Sequence, residues 1–387
     1  MMSLRGKAAA IGIAEMRPVK DMGGLTPLAI MARMARAAID DAGLEPRDIG
    51  GLLCGVPVGD TGMIYPGSVV EYLGLSVRYL DVVDIGGASS AGMMWRAAAA
   101  IDAGMCHTVL CVAGDTFGRV PGSHWPAISL TREFEAPYGP AAANTGYALI
   151  AQRHMFEYGT TPEQLAKIAV DQRTNALKNP NALFGVTPIT VDDVLRSPLI
   201  VDPLHLLEIV KPCTGGAAYI MTGKERALRA PHPPVWLLGA GEHCRHSNIT
   251  YSRDITTSPI SVSAPAAFAM AGLTPRDMHF VQPYDCYTIT VCITLEDAGF
   301  CQKGQGGRFV AEHDLTYAGD LPCNTHGGQL SFGQPGLAGG MTHVIEGIRQ
   351  LMGRGGERQV RDAQLGFVNG NGGIMSEQCS LVLSREA

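Results

Sequence analysis

Residues 42–48 read Ala-Gly-Leu-Glu-Pro-Arg-Asp and residues 271–277 read Ala-Gly-Leu-Thr-Pro-Arg-Asp, with six of seven positions identical. The two copies stand more than half the chain apart, so the repeat predicts a duplicated domain rather than a solenoid of short units. Ala-Gly-Leu followed by Pro is also an ordinary helix ending, with Gly at the left-handed C′ position and Pro blocking continuation. The flanks carry the repeat further. Leu28, Met31, Met34, Ala35, Ala38 and Ile39 recur at helical spacing before the first copy. Pro265, Ala266, Phe268, Ala269 and Met270 read as a shorter apolar helix before the second. Short apolar runs follow both, Ile49 to Gly55 and Met278 to Tyr284, and read as strands ending at loops.

A second pair of units follows the same plan. Gly87-Ala88-Ser89-Ser90 leads into a helix over 91–103 that stops at Gly104, then a strand over 107–113. In the other half, Gly336 to Gly340 leads into a helix over 341–352 that stops at Gly353, then a strand over 364–368. The first of these helices is Ala, Gly, Met, Trp and Ile apart from Arg96 until its last turn, the composition of a buried helix. Helices alternating with strands in both halves give an α/β architecture. The domains expected are 1–228 and 229–387. An excursion over about 116–203, richer in Tyr, Asn, Pro and charge, interrupts the first and is placed over the active-site face. Thr161-Pro162-Glu163-Gln164 reads as a helix start inside it.

Composition narrows the function classes. An apolar content of 46% in 387 residues supplies a sizeable core, and 48 glycines fit tight turns and close packing. A net charge of −6 without a basic run argues against nucleic acid. Apolar stretches are too short or too Gly-broken for a bilayer span, and no signal peptide is read at the N-terminus. Ten scattered cysteines without a CxxC pair suit reduced thiols and a cytoplasmic location. His243-Cys244-Arg245-His246 lacks a matching second ligand pair and reads as a surface loop, so no metal is expected.

Several stretches together resemble the thiolase superfamily, and within it the sterol-carrier-protein-type thiolase-like proteins. They are the Ala10-to-Ala14 strand, the repeat itself, Tyr284-Asp285-Cys286-Tyr287, Leu295 to Cys301, Pro322 to Ser331, and Glu346 to Leu351. The resemblance implies a thiolase fold: a duplicated five-layered α-β-α-β-α arrangement with a loop domain inserted in the N-terminal half. It also implies a homodimer, with coenzyme A entering as part of an acyl-CoA substrate and no bound cofactor.

The family's catalytic positions are altered here. Matched residue by residue, the nucleophilic Cys falls on Gly87, the Asn or His of the second motif on Tyr284, the His of Gly-His-Pro on Gln334, and the second Cys on Asn369. Acyl transfer needs an activated nucleophile. Ser89 and Ser90 lie near, but Ser89 reads as a helix N-cap, and Cys286 as packing. What remains is acid–base and hydrogen-bonding equipment: Tyr284, His326 and Asn369 as catalytic candidates, with Ser89, Ser90, Asn324, Gln334 and Gly372 around the substrate. Such a set suits retro-aldol cleavage of a β-hydroxyacyl-CoA of lipid or sterol side-chain type. Acetyl-CoA acetyltransferase-type acyl transfer and a non-catalytic acyl-CoA or lipid-binding subunit are the alternatives. The aldolase-like members imply a small zinc-ribbon and OB-fold partner. Arg153, Arg173 and Lys178 could meet phosphates or simply be solvated.

Overall fold

In the computed structural model, the residues described are 3–21, 24–59, 65–118, 135–139, 143–247 and 249–387. The first half runs β1 (Ala8–Glu15), α1 (Pro27–Asp41), β2 (Gly51–Gly55), α2 (Tyr65–Leu73), β3 (Tyr79–Val83), α3 (Ser89–Asp102) and β4 (Thr108–Asp115). The excursion adds α4 (Ala143–Tyr158), α5 (Pro162–Ala176), α6 (Val191–Arg196) and the hairpin β5 (Leu199–Val201) and β6 (Leu204–His205). Its stretches 119–134 and 140–142 lie outside the described residues. Then come β7 (Gly215–Gly223) and α7 (Lys224–Ala227), after which the expected boundary at 228 falls. The second half runs β8 (Val235–Cys244), α8 (Ile260–Ala271), β9 (Phe280–Pro283), α9 (Thr288–Asp297), α10 (Gly306–Glu312), α11 (Gly328–Phe332), α12 (Gly339–Leu351), β10 (Leu365–Gly372) and β11 (Glu377–Ser384).

The repeat is one local structure built twice. Gly43 (φ 66°) and Gly272 (φ 66°) take the left-handed turn after α1 and α8. Each Pro-Arg-Asp then forms a single 3₁₀ turn. Asp48 accepts from the backbone N–H of Glu45 at 3.0 Å, and Asp277 from that of Thr274 at 2.7 Å. α8 begins five residues earlier than its apolar run suggests, and Pro265 lies inside it. Pro265 has no N–H, so it makes no helix bond to the Ser261 carbonyl.

Among the described residues, nine strands form one sheet in the order β3-β2-β4-β7-β1-β8-β11-β10-β9. The halves correspond outward from the centre. β2 is parallel to β4 as β9 is to β10, and β4 is antiparallel to β7 as β10 is to β11. Only Ala9–Trp236 and Ala10–Val235 pair β1 with β8 across the centre. Side chains alternate between two cores, as a strand's period of two requires. Ala9, Ile11, Trp236 and Leu238 face the outer core with α1 and α8, while Ala8, Ala10, Val235 and Leu237 face the inner core with α3 and α12. α3 and α12 touch each other and strands of both halves, so they form the middle layer of a thiolase-type α-β-α-β-α stack. No described helix is long and apolar enough to cross a membrane.

A buried ionic knot holds the 324–326 turn against α12. Glu346 accepts from Thr325 Oγ1 at 2.8 Å, Arg349 Nη1 at 2.9 Å, and Arg358 Nε and Nη2 at 3.0 and 2.9 Å. Arg349 also reaches Glu15 at 3.0 Å, linking β1. Burial opposes the charge of Glu346, but the two arginines win and hold its carboxyl well below the usual carboxylate range.

Two outcomes follow from this packing. A β-carbon on Gly239 would lie 2.0 Å from the Ala267 carbonyl oxygen, so Gly239→Ala forces α8 off the sheet. It should cost about 1–3 kcal/mol, read as a lower urea midpoint. Because Glu346 has a depressed folded pKa, its contribution is complete above the unfolded value of about 4.3 and is lost as pH falls below it. Glu346→Gln should lower stability at neutral pH by about 3 kcal/mol and flatten the acid limb of the stability–pH curve.

Candidate functional site

β9 ends at Pro283, and the loop that follows turns Tyr284 inward. Its backbone N–H donates to the Asn369 carbonyl at 3.0 Å, and the Tyr284 carbonyl accepts from Thr290 Oγ1 at 3.0 Å. The phenol is buried and lies against Gly87, the position before α3 where the resemblance places a thiol. A β-carbon there would be 2.5 Å from Tyr284 Cζ and Oη. The hydroxyl accepts from Gln334 Nε2 at 3.2 Å. Burial, with the Cys286 thiol next in weight, raises the phenol's pKa above its ordinary value, so Tyr284 is a neutral proton donor.

Gln334 forms part of a cavity of about 330 Å³, with Val58, Asp115, Phe117, Cys213 and Gly336 among its other lining residues. Its backbone is fixed on both sides: its N–H donates to the Lys211 carbonyl, and its carbonyl accepts from Cys213 N–H at 3.0 Å. Asp115 frames the same cavity. Its carboxylate accepts from the N–H groups of Val58, Gly59 and Thr116 at 2.7–2.9 Å, and from that of Leu337. One buried carboxylate thus ties the end of β4 to the loop after β2 and to the turn that follows Gln334.

Behind Tyr284 is a buried polar layer. Asp285 accepts from the N–H groups of Gln329 and Leu330 at 2.8 and 3.2 Å, at the start of α11. His343 Nε2 is 3.1 Å from Asp285 Oδ1 and 3.0 Å from Gln329 Nε2. Asn324 Nδ2 donates to the Pro283 carbonyl, which turns its Oδ1 toward His343 Nδ1 at 3.1 Å. That contact requires a hydrogen on Nδ1. The His343 ring stands 5.7 Å from that of Tyr284. His326 lies one layer further back, its ring 5.1 Å from His343 and its Nε2 3.2 Å from Thr342 Oγ1. Its Nδ1 has no partner among the described residues. Burial, then the neighbouring His343, push its pKa well below the ordinary value, so it is a neutral imidazole.

Asn369 and Asn371 share one face of β10. The Asn369 side chain is held by Gln378 at 3.0 Å and Ser380 at 2.8 Å, within the sheet. Asn371 faces the Tyr284 loop instead: its Nδ2 donates to Tyr147 Oη at 2.8 Å and approaches Cys286 Sγ at 3.7 Å. Tyr147 comes from the excursion and stacks on Tyr287, ring centres 4.2 Å apart. Ser89 is not the N-cap of α3, which is Ala88. Its hydroxyl fastens the preceding turn, donating to the Gly86 carbonyl at 2.6 Å and accepting from Ile85 N–H at 3.0 Å. Ser90 is fully buried, and its hydroxyl has no partner among the described residues. Gly372 packs against the same turn, where its β-carbon would meet the Ile85 carbonyl at 2.0 Å.

Of the expected residues, Tyr284 and Gln334 are in direct contact, Asn324 supports them through His343, and the side chains of Asn369, Ser89 and His326 make their bonds elsewhere. His343, Gln329, Asn371, Tyr147 and Asp115 were not anticipated. A histidine inside the helix read over 341–352 was the available signal for the first. Arg173 is not a solvated cation: it is buried, with Nε donating to Ser331 Oγ at 3.0 Å. Arg153 pairs with Glu157, and Lys178 with Glu357. His154, Cys292 and Glu296 lie close enough to share a cation. The Glu296 charge is already met by Lys303 Nζ at 3.0 Å, with His154 Nε2 3.1 Å away.

Residues 241–385 match the family described as thiolase C-terminal domain-like. A steroid side-chain-cleaving aldolase of Thermomonospora curvata is 33% identical over 370 residues, covering 91% of this chain and 92% of that protein. An acetyl-CoA acetyltransferase of Methanothermobacter thermautotrophicus is 33% identical over 356 residues, covering 90% and 92%. A solved structure described as an Ltp2-ChsH2(DUF35) aldolase superposes with a TM-score of 0.90 at 32% identity, covering 98% of both chains. With a duplicated fold, a two-helix middle layer and these relatives, the chain belongs to the thiolase superfamily, as one of its sterol-carrier-protein-type thiolase-like members.

Proposed function

We propose that the chain cleaves a carbon–carbon bond of a β-hydroxyacyl-CoA by a retro-aldol reaction, with Tyr284 as the acid–base group. The observation that carries this reading is the buried neutral phenol of Tyr284, held by Gln334 beside Gly87 where a nucleophile would otherwise stand. The thiols nearest the site are poor substitutes. Burial pushes Cys286 and Cys213 up to about 12, so both are protonated and neither is the thiolate that acyl transfer requires.

In the cleavage, the Cα–Cβ bond breaks and its electrons pass into the thioester as an enolate, while the β-hydroxyl becomes a carbonyl. The hydroxyl proton must leave and the α-carbon must gain one. A phenol that gives its proton on the α-carbon side and takes the one released by the hydroxyl closes that balance alone. The Gln334 amide at the cavity supplies a donor for developing negative charge. The aldolase relatives support this chemistry and a sterol-type acyl group, with coenzyme A arriving in the substrate. The aldolase structure that names two components supports a small second subunit of the kind the resemblance implies. Cytoplasmic homodimers complete the proposal. The acetyltransferase relative keeps acyl transfer as the second reading. An acyl adduct on Cys213 or Cys286 after acetyl-CoA exposure, seen by mass spectrometry, would establish it.

Tyr284→Phe should lose at least about 100-fold in turnover of a β-hydroxyacyl-CoA while melting as the unaltered protein does. Gln334→Ala should lose about tenfold, the worth of one hydrogen bond in the transition state. Since the protonated phenol is the active form and its pKa is raised, the rate should show no descending limb below pH of about 10. A limb near neutrality would contradict the assignment.

A further inference from the structure

The seat of Tyr284 is made of bare backbone. Gly87 lies two residues before α3, and Gly340 is the second residue of α12. A β-carbon on Gly87 would lie 2.5 Å from Tyr284 Cζ and Oη, and also 2.5 Å from the Asn371 carbonyl oxygen. One on Gly340 would lie 2.0 Å from the Gly87 carbonyl oxygen and 3.4 Å from Tyr284 Cε2. Carbon and oxygen in van der Waals contact stand about 3.5 Å apart, so neither position has room for a side chain. Gly87 does not adopt a left-handed φ, so its backbone conformation is open to other residues, and space alone excludes them.

We infer that Gly87 determines which chemistry this site performs: a side chain at position 87 and the phenol of Tyr284 are mutually exclusive occupants of one slot. The inference rests on the reading of Tyr284 as the acid–base group. The first turns of α3 and α12 meet at this slot, so it is also the place in the middle layer where partial positive charge from two long helices converges. A nucleophile carried at position 87 and a proton donor reaching in from Tyr284 would both use that field and cannot share it; with the ring gone, a side chain at 87 would still have to displace the Asn371 carbonyl, whose oxygen its β-carbon would meet at 2.5 Å. Glycine at 87 gives the space to the phenol. The pair is therefore a steric switch between covalent and acid–base catalysis, set by the residue that lacks a side chain.

The test empties the slot and refills it. Tyr284→Gly leaves a ring-shaped space bordered by Gly87 and Gly340, and such spaces take up small aromatics. Millimolar phenol should raise the melting temperature of Tyr284→Gly by about 2 °C or more, and restore part of its turnover. It should do neither in Tyr284→Gly/Gly87→Ala, whose added methyl blocks the space. Equal shifts in the two variants, or no shift in either, would overturn the inference. If Tyr284→Gly does not fold, Gly87→Ala is compared in the Tyr284→Phe and Tyr284→Ala backgrounds. Its melting-temperature drop should be larger with the ring present, and equal drops would overturn the exclusivity. Failure of the retro-aldol reading shows separately, as absence of β-hydroxyacyl-CoA cleavage by the unaltered protein, a measurement on which the melting data do not depend.

Discussion

The close approach of α3 and α12 constrains everything around it. Two helices buried in the middle of a five-layer stack must be nearly free of charge on their contacting faces, and they are: Met93, Met94, Ala97 and Ala98 meet Met341, Val344, Ile345 and Ile348 in one core. The same contact brings the two helix starts together, where the Gly340 position would strike the Gly87 carbonyl. Backbone that close leaves no space for side chains from the helices themselves. Whatever chemistry occurs there has to be delivered from a neighbouring loop, and the loop after β9 delivers Tyr284.

The polar layer behind Tyr284 follows from its burial. A phenol, an imidazole and a carboxylate taken out of water each need partners: Tyr284 has Gln334, Asp285 has the start of α11, His343 has Asp285 and Asn324, and Asn324 has the Pro283 carbonyl. The Glu346 knot continues that layer to β1 through Arg349 and Glu15. Position at the reacting end is thus referred back to the ionic core rather than to exposed loops. The Asp115 clamp does the same for Gln334 from the other half.

Much of this was legible in the chain. The repeat, the Gly turns and the helix start at Thr161 are local signals, and each is decided by its own few residues. Tyr284 and Gln334 could be named because motif positions fixed them. The start of α8 could not be read, because Pro265 interrupts a helix that tertiary packing on β8 extends. Asn369 and Asn371 are alike in sequence and lie on one face of one strand. Which of them meets the Tyr284 loop is settled on the next strand: Gln378 bonds both, taking the amide N–H of Asn369 but only the oxygen of Asn371, and Ser380 takes the Asn369 oxygen. Ser89 looked like a cap because Ser at a helix start usually is one; here the turn at Gly86 claims the hydroxyl first. Asp115 and His343 act across sequence distances that no local pattern records.

The place of β1 bears on how such a chain is made. It lies between β7 and β8, with Ala8 opposite Gly223 and Ala10 opposite Val235. Both neighbours lie about two hundred residues further along the chain, so β1 waits for its hydrogen bonds until long after it has been made. Pairings of such high sequence separation are slow to form. Until they do, an apolar strand with both edges open is a template for other chains. The architecture therefore leaves β1 open until β7 arrives to cover one edge along its length, and only β8 of the second half closes the other.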